Sequence, residues 1–430
     1  MPFSSFWQNC VCLSSPVFIL LLGGCRSYTP APIEWRRESA AWSASSTNRA
    51  SLTLSEARQC ALVLNPAINA LRLKHLSSDR MALASGWWED PALDLDGLRV
   101  LRGGPHPWII GSGLVFAIPL NGVPGIEKLA AQAYGRADAL AVTVGERDLL
   151  AEIDTAWSRA GAIEQRTTLA ADYAARITRW DSTVQALVQA GELPKSEGDR
   201  FLQERLAIQL EKQQLEADAS VCRKALMRLL GLHPATQIVF DFRTPDQAPQ
   251  PVFPDEEVLI RHPRVQEKLA RLDASEAALR AEIRRQYPDL AIGPSFGHEE
   301  GGGRLGLSLG LNLPLWNRNR KGVALAESGR DTARNEALSE WRSLMSDLHE
   351  TRESLKYAER SAQLLRERRL PEASDSAARI ERLFKAGETD VLAVAEAEQT
   401  LYEIRRATVD AQLSVSEVRI RAAALAPGNP

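Results

Sequence analysis

Six leucines occupy every second position of residues 304–315, RLGLSLGLNLPL: Leu305, Leu307, Leu309, Leu311, Leu313 and Leu315. Gly306, Ser308, Gly310, Asn312 and Pro314 lie between them. Successive side chains of a strand point to opposite faces, so this stretch predicts a strand with one leucine face and one small or polar face. Two environments produce such a strand. In a soluble sheet the leucines cover a core and the polar side meets water. In a membrane barrel the leucines meet lipid and the polar side lines the lumen. Alternation alone leaves both open. Pro314 cannot donate to a ladder and marks the end where pairing stops.

The stretch has a relative in the first half of the chain. Leu114, Phe116, Ile118 and Leu120 align with Leu309, Leu311, Leu313 and Leu315 at an offset of 195. Other landmarks repeat at nearly the same distance. Asn65-Pro66 aligns with His262-Pro263 and Pro91 with Pro288, both at 197, and Ala190-Gly191-Glu192 aligns with Ala386-Gly387-Glu388 at 196. Ordered landmarks at a constant offset are the mark of an internal repeat. We read residues 52–231 as a first repeat and 255–426 as a second. Residues 232–254 join them and hold Pro234, Pro245, Pro249, Pro251 and Pro254.

Each repeat predicts a helix, two strands and two long helices. The first helix begins near Thr53, which can form a capping box with Glu56, and Pro66 breaks it early. Its counterpart spans 255–286. The strands are 91–100 with 108–120, and 288–297 with 304–315, of the length a tilted barrel strand needs. Four strands cannot close a barrel, so a barrel requires several copies. Residues 127–189 contain no proline and as one helix would reach roughly 95 Å. Near its end Tyr173, Ile177, Trp180, Val184 and Leu187 step by four and three, a coiled-coil seam. The return helix is 196–230. In the second repeat 318–385 is expected to break at Pro371. The last helix carries Val394, Ala397, Leu401, Ile404, Thr408, Ala411, Val415, Val418, Ala422 and Leu425 at the same spacing.

At the amino terminus, residues 17–24 (VFILLLGG) are a short apolar run before Cys25. The run is too short to span and reads as an export signal, 1–24. Leu22-Gly23-Gly24-Cys25 resembles a bacterial lipobox, which implies that Cys25 is lipid-modified; an ordinary cleaved signal beside an incidental cysteine is the alternative. No Lys or Arg precedes the run. Residues 26–50 are rich in Ser, Pro and Trp and read as an extended linker. Of five cysteines, Cys10 and Cys12 would leave with the signal, and Cys60 and Cys222 read as buried thiols.

Composition narrows function. The net charge is -3 over 430 residues, which does not suggest a nucleic-acid partner. No run of 18 apolar residues exists, so no helix is expected to span a bilayer. The chain has no nucleophile elbow, phosphate-binding loop, dinucleotide glycine pattern or HExxH zinc motif, and its six histidines are scattered. No enzyme activity, cofactor or metal site is expected; His298-Glu299-Glu300 reads as a solvated hairpin loop. Trp87-Trp88 fits either an interfacial anchor or packing at a helix–strand junction.

The lipobox, the two copies of helix, hairpin and paired long helices, and the AGE turns together resemble the TolC-type outer membrane efflux family over residue 52 to the carboxyl terminus. Residues 313–322 (LPLWNRNRKG) and the break at Leu370-Pro371-Glu372-Ala373 resemble its cobalt–zinc–cadmium branch. The resemblance implies a mainly α fold with a small β part, a homotrimer, and a twelve-stranded barrel in the bacterial outer membrane above a periplasmic helical tunnel. Leu305, Leu307, Leu309, Leu311 and Leu313 would face lipid. It also implies a passive channel in a tripartite system, with a periplasmic adaptor and an inner-membrane pump of the resistance–nodulation–division (RND) type as partners and heavy-metal cations as one candidate cargo. The turns Ala190-Gly191-Glu192 and Ala386-Gly387-Glu388 would form the tip that meets the adaptor, and Lys195 with Asp390 a candidate gate between neighbouring hairpins. A structural coiled-coil lipoprotein without a pore is the alternative.

Overall fold

The computed structural model describes residues 28–45, 51–99, 108–242, 251–299 and 302–427. The chain divides into two compact units, residues 1–47 and 48–430. In the first, α1 (Trp35–Ser45) is a solvent-exposed helix, where an extended linker was expected. Its Arg-Arg-Glu-Ser-Ala-Ala sequence is rich in helix formers, and Glu38 sits in the first turn, where the helix dipole favours an acid. Cys25 lies outside the described residues.

In the second unit, β1 (Ser51–Leu52) leads into α2 (Leu54–Leu64) and α3 (Pro66–Ala84). Thr53 caps α2 in a complete capping box with Glu56. The chain then forms β2 (Ala92–Arg99), β3 (Trp108–Ile118), α4 (Val123–Gln189), α5 (Lys195–Leu229) and β4 (Val239–Phe240). The second repeat opens with a 3-10 turn, Glu256–Arg261, and continues as α6 (Pro263–Arg284), β5 (Leu290–Glu299), β6 (Gly302–Leu311), α7 (Arg320–Leu364), α8 (Leu370–Lys385) and α9 (Val391–Ala424). Helix α4 has 67 residues, roughly 100 Å of helix. It begins before the expected Glu127 because Pro124 sits in its first turn, where a missing N–H costs nothing.

The break expected at Pro371 is milder than a chain break. A π-turn, Leu365–Arg369, joins α7 to α8, and the Leu370 N–H donates five residues back to the Leu365 carbonyl. Proline clashes with the carbonyl four residues before it. One widened turn moves that carbonyl aside and lets the helix continue.

The strands pair in the order β2-β3-β5-β6, all antiparallel. The helices follow the same order: α3 packs on α4, α4 on α6 and α6 on α7. Strands and helices therefore share one neighbour order. Further along α4 the neighbours become α5 and α9.

Two cores hold the repeats together and are related by the sequence offset. Ile68, Leu149, Ile153 and Leu230 are buried in the first. Val265, Leu344, Leu348 and Leu425, 195 to 197 residues further on, are buried in the second. The first is larger because Leu52 and Phe240 of the small β1–β4 pair join it, and Trp157 packs edge-on against Phe240 and Phe242. Cys60 and Cys222 are half-buried at its margin rather than buried.

Candidate functional surfaces

The sheet presents one continuous apolar face. Its register sets Leu305 opposite Phe296, Leu307 opposite Pro294, Leu309 opposite Ile292 and Leu311 opposite Leu290. The rows continue with Ile292 opposite Phe116, Leu290 opposite Ile118, and Leu93 opposite Leu114. These side chains share a face because facing residues of an antiparallel pair point the same way. Leu305 is 83% exposed and Leu307 and Leu309 are each 65% exposed, so nothing among the described residues covers them. An apolar patch of this extent marks a surface that meets a partner or a membrane. Leu313, expected within the strand, lies beyond its end: β6 stops at Leu311, three residues before Pro314. His298, expected in the hairpin loop, lies in β5 opposite Ile110; Glu300 is outside the described residues.

The opposite face is small and polar over most of its extent, with Leu98 opposite Ile109 toward one end. Gly306 faces Ser295, Ser308 faces Gly293, Ser295 faces Gly113, and Gly113 faces Asp94. Both edge strands, β2 and β6, keep an unpaired side among the described residues. Such edges invite pairing with another chain.

At the far ends of the long helices the two AGE turns adopt one geometry. Gly191 has φ 78° and Gly387 φ 77°. The Glu192 N–H donates to the Leu187 carbonyl and the Glu388 N–H to the Leu383 carbonyl, each at 2.9 Å. This six-to-one bond after a left-handed glycine is a Schellman motif, which satisfies carbonyls the helix end leaves open. Asp390 caps α9, its Oδ1 accepting the Ala393 N–H at 2.9 Å, while Lys195 opens α5 and is exposed. Within the chain these two residues form no ion pair among the described residues.

Contacts that the sequence did not single out join the two tips. Arg176 donates to buried Glu398 at 3.0 Å, and Arg200 reaches Glu396 at 3.1 Å. Trp180 meets Phe384 edge-on, with centroids 5.3 Å apart. Tyr173 and Tyr402 stack at 4.5 Å. Burial, and Glu204 accepting the Tyr173 hydroxyl proton at 2.8 Å, push that phenol well above its ordinary range and keep it neutral. The available signal was a charge embedded in an apolar seam: Glu398 lies among Val394, Leu401 and Tyr402 on α9. Near the sheet, burial would raise the carboxyl of Asp138, but hydrogen bonds from Ser78 and Lys74 and the nearby Arg271 outweigh it and lower its pKa.

The described residues contain no cluster of three groups able to hold a metal ion, and no described helix is long and apolar enough to cross a membrane. The second half of the chain, residues 256–426, matches the family described as outer membrane efflux protein. The chain is 26% identical over 272 residues to the cobalt-zinc-cadmium resistance protein CzcC of Cupriavidus metallidurans, spanning 62% of this chain and 65% of that relative, just under two thirds. In structure it resembles a membrane protein from Pseudomonas aeruginosa, with TM-score 0.75 and 18% identity over 86% of this chain and 93% of the other. It equally resembles CusC, solved in a study of folding and transmembrane channel formation, with TM-score 0.75 and 16% identity over 93% and 95% of the two chains.

Proposed function

With residues 256–426 forming a domain of the outer membrane efflux protein family, we propose that the chain is one protomer of a passive outer-membrane channel in a tripartite efflux system. The observation that carries this reading is the sheet: a continuous exposed apolar face, a small polar face behind it, and two open edges, set above helices of tunnel length. Chain direction alternates along the four strands, so β6 of one copy meets β2 of the next in antiparallel sense and the pattern closes without a mismatch. Three copies make a barrel of twelve strands, lined by the Gly, Ser and Asp face, with leucine against lipid. Such a conduit supplies no energy. An inner-membrane pump of the RND type would drive export, and a periplasmic adaptor would meet the AGE tips. Lys195 and Asp390 would act as the gate between neighbouring copies, and Cys25 would carry the lipid anchor. Heavy-metal cations are the proposed cargo, supported by the cobalt-zinc-cadmium resistance for which CzcC is named.

Reconstitution of the purified full-length chain in planar bilayers tests the channel. Stable conductance steps are expected. A chain that inserts without conducting points to a structural lipoprotein instead. Incorporation of labelled lipid should be lost in Cys25→Ala, and incorporation that survives removes the anchor.

A further inference from the structure

The two links that lead from a hairpin into a long helix are twins in backbone but not in charge. Gly122 caps α4 with φ 70°, and Asn319, 197 residues on, caps α7 with φ 51°, both left-handed. Gly125 and Gly322 follow at the same offset. Between and before them, Asn121, Val123 and Pro124 of the first link become Arg318, Arg320 and Lys321 of the second.

Each link is anchored by one amide. Asn121 is buried, donates to Asp289 at 2.8 Å and accepts the Val123 N–H at 3.0 Å. Asn319 donates to the Glu282 carbonyl at 2.9 Å and to its carboxylate at 2.6 Å. The fold therefore needs the amide but not the cations, since the first link keeps the same turn without them. Arg318, Arg320 and Lys321 are exposed and enter no ion pair among the described residues. Arg318 also holds a positive φ of 45°, which a non-glycine residue adopts at a cost. Three close cations repel one another, so they favour an anionic partner.

The surroundings say which anion. Trp316, two residues before Arg318, is 85% exposed, and Trp87 is 79% exposed. Trp87, Trp88 and Arg318 line one groove of about 550 Å³ where the sheet meets the helices. Indole rings favour the boundary between hydrocarbon and water, and Arg and Lys reach from apolar surroundings to the phosphate level. Leu313, which continues the leucine stripe, lines the same groove, as do Ala117 and Asn312 of the small, polar side.

We propose that the link from β6 to α7 binds the phosphate headgroups of anionic phospholipids in the leaflet on the helix side of the membrane. Trp316, Trp87 and Trp88 seat the boundary, and Arg318, Arg320 and Lys321 hold the phosphate. The site occurs once per chain, because the first link has no cation at these positions. It rests on the outer-membrane reading above.

The test reconstitutes the full-length chain in nanodiscs of phosphatidylethanolamine with one quarter phosphatidylglycerol, then measures protein-retained lipid by mass spectrometry after detergent extraction. The wild type should retain phosphatidylglycerol several-fold above its bulk share. The R318Q/R320Q/K321Q variant should lose that excess with an unchanged melting temperature, and inorganic phosphate should not displace it from the wild type. Equal retention by variant and wild type overturns the site, as does displacement by phosphate. A changed anion permeability with unchanged lipid retention also overturns it, placing the cations on the aqueous path. Failure of the wild type to enter any bilayer overturns the membrane reading, and the site with it.

Discussion

Asn65 in the first repeat and His262 in the second occupy the same place by different chemistry. Each precedes a proline that opens a helix, α3 or α6, and each accepts the N–H groups that the first turn leaves free. Asn65 Oδ1 takes those of Ala67 and Ile68, and His262 Nδ1 takes that of Arg264. Each also reaches the end of its repeat's last helix. Asn65 Nδ2 donates to the Leu229 carbonyl at 2.8 Å, and His262 Nε2 meets the Ala424 carbonyl at 3.0 Å. Leu229 and Ala424 are themselves 195 residues apart. The repeats have kept the bond pattern and changed the group that makes it. Only the second version titrates, so the duplicated hinge responds to pH on one side only. The long helices differ in a similar way: α4 runs unbroken where α7 and α8 need a π-turn to accommodate Pro371.

The comparison can be broken most severely at the sheet. Leu309→Arg and its offset partner Leu114→Arg each place a cation on the apolar face. Each should lose about 2–4 kcal/mol of insertion stability if the residue sits near the bilayer midplane, measured by urea titration of folding into liposomes. A loss at one position only would mean that the two hairpins face different surroundings. At the hinges, Asn65→Ala and His262→Ala should each cost about 1–2 kcal/mol, the range for losing an N-cap, seen as lower melting temperatures.

His262 adds a pH term. Burial, with help from Arg147 and Arg264, outweighs the Ala424 carbonyl and Asp148 and lowers its pKa below 6.5. The unfolded chain then takes up the proton at higher pH than the folded one. The stability held in neutral His262 is complete above pH 6.5 and is lost as pH falls below it toward the lowered value. His262→Asn should flatten that part of the melting curve between pH 7.5 and 5, and Asn65→Ala should leave the slope as it is. At the tips, Gly191→Ala and Gly387→Ala should each cost about 1 kcal/mol for a left-handed Cβ. Unequal costs in thermal melts would show that one tip relaxes and the other does not.

Much of the architecture was legible because its signals are local. Helix periodicity, the cap at Thr53, the glycine turns and the leucine alternation depend on neighbours within a few residues. The α1 helix escaped notice because it has no apolar stripe, and β6 was read too long because alternation continues through Leu313 after pairing has stopped. The contacts of Arg176 with Glu398 and of Tyr173 with Tyr402 join residues more than 200 positions apart. No local pattern encodes which of many arginines will meet one buried acid.

The sequence by itself determined the repeat, the helix and strand order, and the residues that turn the chain. These follow from period, proline and glycine. Tertiary structure decided which apolar faces were left uncovered. By alternation alone the leucines of 304–315 fit either a core or a membrane surface; with four strands in register they stay exposed among the described residues. Alternation specifies that two faces differ; what each face meets depends on elements brought there by folding.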